Sequence, residues 1–411
     1  MATIKSFQPY RYTAKAGDPS LLITQPYDKI SPEMQARYLA ASPYNLVRVI
    51  LGERFPSDGG SNNVYTRAEK YLEEWIREGI LAQDSLPGFY AYFQEFDVPD
   101  TGERATRQGF IGIGKVEDYS ANVVYRHEQT LSGPKKDRRE LLCHTRSHFG
   151  QIFMLYPDRE GEVDKLLEES ARTAPVLDMT DEYGARHRVW PIANPGKTAR
   201  IQELMAPKKL LIADGHHRYE TALAYHHDHP SVPEAEYVMM TFVNMYSPGL
   251  KILATHRVLR NLGSFDEAAF LRSAAAAWKV TRWASLEELK KVLSGSKPEL
   301  VRIGIASASG FHLLERARQA DEMDVPVLHH EILTGLLGIS EEAVRDEKYI
   351  HYLRGMDTAA AEVEKGAQVA FLLAPTPIED MARIAFAGGV MPQKSTDFYP
   401  KLLTGVTIYR L

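Results

Sequence analysis

Residues Leu210-Leu211-Ile212-Ala213-Asp214-Gly215-His216-His217-Arg218-Tyr219-Glu220-Thr221-Ala222-Leu223 constrain this chain more than any others. Leu210 to Ala213 is a short apolar run of the right length for a buried strand. From Tyr219 the spacing changes, with Tyr219, Ala222 and Leu223 at helical intervals. A strand that gives way to a helix so quickly must turn sharply between Asp214 and Arg218. Gly215 permits the turn, and Asp214 is the expected helix cap. The following backbone N–H groups then point out of the helix start, where the macrodipole favours an anion. His216, His217 and Arg218 add side-chain donors at the same place. The junction therefore reads as a phosphate site. The plainer alternative is a capped helix whose His and Arg are solvated. A metal site is disfavoured, because neighbouring His216 and His217 diverge by about 100° on a helix.

The rest of the chain narrows the class of protein. With 411 residues, 44% hydrophobic and 25% charged, it has the make-up of a globular chain of two or three domains. No stretch approaches the ~20 apolar residues of a membrane helix. Residues 1–7 lack the apolar core of a secretory signal. The single cysteine, Cys143, excludes an intramolecular disulfide and points to a reducing compartment, so the cytoplasm is the expected location. A net charge of −5 gives no pull toward nucleic acid or anionic membranes. Small molecules are the expected partners, and the oligomeric state is left open.

Taken in order, Ser31-Pro32 starts a helix that runs to Ala41. Tyr27, Asp28, Tyr44, Asn45 and Arg48 around it either line a pocket or pack an N-terminal arm. Thr66 to Leu81 reads as a helix with a Thr66/Glu69 capping box. Phe89–Phe96 and Gly109–Val116 read as antiparallel strands. Asn122–Arg126 is a short strand, and Glu128 just beyond it is placed for acid–base work. Asp137 is the expected cap of a helix through Leu142. Lys135, Lys136, Arg138 and Arg139 beside it either contact phosphates or form a solvated face. Gln151–Tyr156 and Tyr237–Val243 read as central strands, and 176–192 as a hairpin. His256 and Arg257, at a strand end, either add to the anion site or meet water. A boundary falls near Gly263, followed by a further α/β stretch with a helix over 325–337. The tail from Met391 to Lys401 is densely polar, with Lys394, Ser395, Thr396, Asp397, Tyr399 and Lys401, and Lys394, Ser395 and Thr396 offer a cation and hydroxyls for a phosphate or carboxylate. The alternative there is a tight loop whose hydroxyls cap its own backbone. A site role requires the tail to fold back onto the central part of the chain.

Asp-Gly-His-His-Arg at a strand-to-helix junction resembles the nucleotide-binding motif of the ParB/sulfiredoxin-like fold. The longer phrase Ile212–Ala222 resembles a bacterial family, the domain of unknown function 1015. Pro26-Tyr27-Asp28, Arg126-His127-Glu128, Thr255-His256-Arg257 and the run 391–396 match the same family, so the resemblance covers nearly the whole chain. It implies a mixed α/β (α+β) architecture. A ParB/sulfiredoxin-like core at 121–263 would be flanked by α/β modules at 1–120 and 264–411. In the free-serine kinases of that fold, a glutamate early in the domain takes the proton of the substrate hydroxyl, and Glu128 stands where it would fall.

The implied activity is nucleotide-dependent phosphoryl transfer on a small hydroxyl metabolite such as serine or phosphoserine. It would run in either direction, with ATP or ADP and Mg²⁺. Glu128 would be the base, Asp214 would orient the loop or a metal-bound water, and His216 would join the catalytic set. Gly215, His217, Arg218, Arg138 and Lys135 would hold phosphates. Lys394, Ser395, Thr396, His256, Arg257 and Asp28 would face the substrate. No Walker-type Gly-x-x-x-x-Gly-Lys run occurs. The alternative is a non-catalytic, nucleotide-binding regulatory protein like the ParB clamps. The acidic balance and the lack of an evident helix-turn-helix weigh against it. Sulfiredoxin chemistry needs a thiol beside the motif, where His216 stands instead.

Overall fold

The computed structural model describes residues 1–411 except 100, 129–131, 296, 321 and 393. Gln393 of the polar tail motif thus lies outside the described residues. The chain is mixed α/β and divides into two compact units. Residues 1–98, 103–251 and 400–411 form the first, and 99–102 with 252–399 form the second. The second unit is inserted in sequence between Lys251 and Pro400, so the last residues of the chain belong to the first unit.

The first unit is built on a nine-stranded sheet. Its strands are β1 (Ile4–Lys5), β2 (Phe89–Asp97), β3 (Arg104–Lys115), β4 (Val124–Tyr125), β5 (Ile152–Tyr156), β6 (Leu177–Thr180), β7 (Arg186–Ile192), β8 (Leu210–Asp214) and β9 (Tyr237–Asn244). The order is β4-β8-β5-β9-β3-β2-β7-β6, with β1 also on β3. β8 runs parallel to β4 and antiparallel to β5, while β9 runs parallel to β5 and antiparallel to β3. β2 and β3 lie before residue 120 and β4 to β9 after it, so that position falls inside one sheet rather than between modules.

Side chains alternate across this sheet. Phe89, Phe93, Phe110, Ile152, Met154, Ile212, Met240 and Phe242 pack into one apolar core with Trp190. The intervening positions put a buried polar set on the other face: Gln94, Arg107, His187 and Thr241, with Gln151 at the mouth of β5. The C-terminal residues are bonded into this unit through Thr24–Thr404, Tyr10–Ile408 and the pairing of Tyr409–Arg410 with Ser147–His148.

Two helix starts differ from expectation, each for a local reason. α1 (Val64–Arg77) is capped three residues earlier, because the Asn63 side chain accepts from the N–H groups of Tyr65 and Thr66 while Thr66 closes the box. α2 (Ser132–Thr145) begins ahead of Asp137. Asp137 is therefore no cap, and its carboxylate instead accepts from Arg54, Tyr65 and Arg138.

The second unit carries a six-stranded sheet of β10 (Thr255–Leu259), β11 (Lys279–Trp283), β12 (Leu300–Ser307), β13 (Gly310–Ala317), β14 (Ile350–Arg354) and β15 (Val369–Leu372). The order is β11-β13-β12-β15-β10-β14, and each neighbouring pair is antiparallel. The expected helix over 325–337 is a short α-turn, Asp324–Val327, that widens into a π-helix, Leu328–Leu336.

Candidate functional site

β8 ends at Asp214, and α3 (His216–Asp228) starts directly after Gly215. Gly215 itself occupies the cap position, at φ +97° in the left-handed region, and contributes no side-chain cap. The expected capping role of Asp214 is thus corrected. Its carboxylate faces two cations instead, with Lys401 Nζ donating to Oδ1 at 3.1 Å and Arg218 Nη2 donating to Oδ2 at 2.7 Å. The helix start keeps N–H groups that no cap side chain has taken. Burial would raise the Asp214 carboxyl, but Lys401, Arg218 and Lys29 hold it well below the usual carboxylate range. Asp214 and the Asp28 that neighbours Lys29 are two anions against these three cations, which leaves the turn net positive.

Arg218 braces the turn from beneath. Its Nη1 donates to the Gln151 carbonyl while Nη2 holds Asp214. Glycine is favoured at position 215 by φ, and a Cβ at this position would also lie 3.0–3.1 Å from the guanidinium, which would have to give by a few tenths of an ångström.

His127 ties the neighbouring segment to the turn. It is fully buried, and its Nδ1 donates to the Ile212 carbonyl at 2.8 Å. Its ring meets the His216 ring edge-on at 4.8 Å. Glu128 follows directly and is half-buried. The Nε2 atom of His216 is buried without a hydrogen-bond partner. Burial pushes His127 down to about 4 and His216 well down, so both rings are neutral at pH 7.

This has a consequence for stability. Between pH 6.5 and 4 an unfolded chain protonates a histidine that the folded His127 leaves neutral. That contribution is full above pH 6.5 and is lost as the pH falls toward 4. His148, also pushed down to about 4, acts in the same sense. Calorimetric melting temperatures are expected to fall from pH 7.5 to 4.5 at constant ionic strength. A flat profile would contradict the buried, neutral state.

Lys135 is paired with the Glu220 carboxylate on α3, and Arg126 approaches the same group at 3.5 Å. Arg138 lies 4.0 Å over the Tyr27 ring and pairs with Asp137. A cavity of about 60 Å³ lies between Tyr27, Arg138, Gly150, Arg218 and Thr404. Asp28 is exposed, with Lys29 Nζ 3.8 Å away.

His256, Arg257, Lys394, Ser395 and Thr396 belong to the second unit. Arg257 is buried on β10, donating to the carbonyls of Thr255 and, at 3.1 Å, Lys394. His256 Nδ1 accepts from the Leu373 N–H at 3.2 Å. Lys394 has φ +57°, and Ser395 Oγ donates to the Pro392 carbonyl at 2.7 Å. That serine hydroxyl therefore caps its own loop.

Lys29 is left unassigned by sequence reasoning, and Lys401 is read there only as a member of the polar tail, without its link to the turn. Lys401 lies 187 positions from Asp214, and no local pattern links them. Cys143 lies on α2, and its thiol is held above its ordinary range chiefly by desolvation, opposite to an activated thiolate. Among the described residues, no helix is long and apolar enough to cross a membrane.

The fold and turn define a mixed α/β protein with a positively charged helix start. The chain belongs to the family described as "Protein of unknown function (DUF1015)", whose model matches residues 4–336. No curated protein matches it. Among solved structures it is similar to a conserved hypothetical protein from Pyrococcus furiosus, with 12% identity and TM-score 0.36 over 70% of this chain and 91% of that one. It is similar to a free serine kinase in complex with AMP, with 12% identity and TM-score 0.37 over 70% and 88%. It is also similar to SbnI from Staphylococcus aureus, with 8% identity and TM-score 0.36 over 72% and 87%.

Proposed function

We propose that the first unit binds a nucleotide by its phosphates at the Asp214–Arg218 turn. There it moves a phosphoryl group between the nucleotide and the hydroxyl of a small metabolite, with serine and phosphoserine as the leading pair. The observation that carries this is the start of α3. Its N–H groups lack a cap side chain, Gly215 opens it at φ +97°, and Lys401 and Arg218 flank it on a single carboxylate. Such a helix start is an anion site by both hydrogen bonding and dipole.

In the forward direction the substrate hydroxyl oxygen attacks the γ-phosphorus of ATP. The bond from that phosphorus to the bridging oxygen breaks, ADP leaves, and the hydroxyl proton passes to the Glu128 carboxylate. The reverse reaction takes phosphoserine and ADP to serine and ATP. The helix-start N–H groups and His217 receive phosphate oxygens, while Arg218 keeps the turn in shape. Neutral His216 packs the Glu128 segment through His127. Phosphoryl transfer rests on positioning and electrostatic stabilisation, which is what this geometry supplies. Both oxygens of Asp214 are engaged by cations, and among the described residues no three His, Cys, Asp or Glu side chains gather as a metal site. The Mg²⁺ that such chemistry uses would therefore be held chiefly by the nucleotide phosphates and water rather than by a dedicated protein cage.

³¹P NMR of the full chain with Mg²⁺, given ATP and serine or ADP and phosphoserine, tests this. A new phosphomonoester or γ-phosphate resonance that grows with time is expected. Nucleotide binding with no transfer to any hydroxyl substrate would favour the regulatory alternative. Absence of both would overturn the proposal.

A further inference from the structure

The turn's second cation reaches it from the far end of the chain, and its backbone is held by side chains outside the turn. Arg107 and Gln94 are each 1% exposed, on adjacent strands of the polar face of the sheet. Arg107 Nε donates to Gln94 Oε1 at 2.9 Å, and Arg107 Nη2 donates to the Pro400 carbonyl at 2.6 Å. Gln94 Nε2 donates to the Lys401 carbonyl at 2.9 Å. Two hydrogen-bonded side chains thus grip two consecutive carbonyls.

The grip is itself supported. The Arg107 guanidinium lies 4.6 Å over the ring of Phe153, the residue that pairs with Asp214 across β5 and β8. His187 Nδ1 lies 3.3 Å from Gln94 Nε2 and 2.7 Å from the Tyr92 hydroxyl, while its Nε2 donates to Asp181 at 3.2 Å. A buried network of this kind fixes one geometry, because each member restricts its neighbours. Lys401 emerges from it with its side chain 10% exposed and its ammonium on Asp214 Oδ1.

We infer that Lys401 is a phosphate-binding residue of this site and that Arg107 and Gln94 are positioning residues that set its place. The inference rests on the nucleotide reading above. A lysine ammonium is a point charge that can turn from the carboxylate to an incoming phosphate oxygen without moving its backbone. Arg218, spent on Asp214 and the Gln151 carbonyl, braces the turn, whereas Lys401 supplies the charge that meets the ligand. The backbone bonds of Thr404 to Thr24 and of Gly405 to Phe149 then anchor the segment just beyond it.

Calorimetric titration of ADP into the full chain tests the inference. Wild type is expected to bind, Lys401→Met to bind at least tenfold more weakly, and Lys401→Arg to recover most of the loss because it restores the charge. Gln94→Met, which keeps the ammonium but frees the carbonyl, is expected to weaken binding severalfold with the melting transition retained. If Gln94→Met does not fold, the two Lys401 variants decide alone. Unchanged ADP affinity in Lys401→Met would overturn the inference while leaving the nucleotide reading intact. Loss in Lys401→Met with no recovery in Lys401→Arg would make the residue merely structural and overturn it too. No ADP binding by the wild type would overturn both.

Discussion

Glu128→Gln is expected to slow phosphoryl transfer by about 10²–10⁴-fold, the usual worth of a general base, while leaving ADP affinity unchanged. Glutamine matches glutamate in size and accepts hydrogen bonds similarly, but it cannot take the hydroxyl proton. The segment should keep its place in the variant, because its anchor is the neighbouring residue. His127 holds the Ile212 carbonyl and packs on His216 whatever side chain follows it. Rates from ³¹P NMR and affinities from calorimetry separate the two effects. A variant that transfers at the wild-type rate would place the base elsewhere. A variant that loses ADP would mean that Glu128 supports the turn rather than the chemistry.

Gly215→Ala is expected to abolish ADP binding at concentrations that saturate the wild type. The left-handed backbone alone costs an L-residue about 1–2 kcal/mol. At the size of the first unit that corresponds to a loss of roughly 2–8 °C in melting temperature. The new methyl also meets the Arg218 guanidinium at 3.0–3.1 Å. That group is held by Asp214 and the Gln151 carbonyl, so the few tenths of an ångström it must give are taken from the bonds that shape the turn. Gly215→Asn separates the two causes, since asparagine tolerates the left-handed region but carries the same Cβ. It should melt closer to wild type and bind as poorly as the alanine variant. Wild-type affinity in Gly215→Ala would show that the shape of the turn does not matter.

The strand, turn and helix at 210–228 are legible in the sequence because every signal there is local. An apolar run, a glycine and a change of period lie within a few residues of one another. The same holds for the pair of strands over 89–97 and 104–115 and for the buried strand at 237–244. What is not legible depends on long-range pairing. The cap on α3 reads as Asp214, because aspartate is a strong cap former. The helix starts one residue later, with Gly215 at the cap, and the Asp214 carboxylate faces Arg218 and the distant Lys401 instead. Gln94, Arg107 and His187 sit at alternate positions of ordinary strands, where the sequence shows polar interruptions rather than a network. The insertion of the second unit between Lys251 and Pro400 carries no local mark, so a break near Gly263 is read some residues late.

The central claim is that the turn after β8 receives the phosphates of a nucleotide, and a calorimetric titration of ADP into the intact wild-type chain tests it most directly. Saturable binding of one ADP per chain, lost in Gly215→Ala and retained in Glu128→Gln, is the predicted result. A wild-type chain that takes up no ADP, or one whose affinity is indifferent to Gly215→Ala, would contradict it.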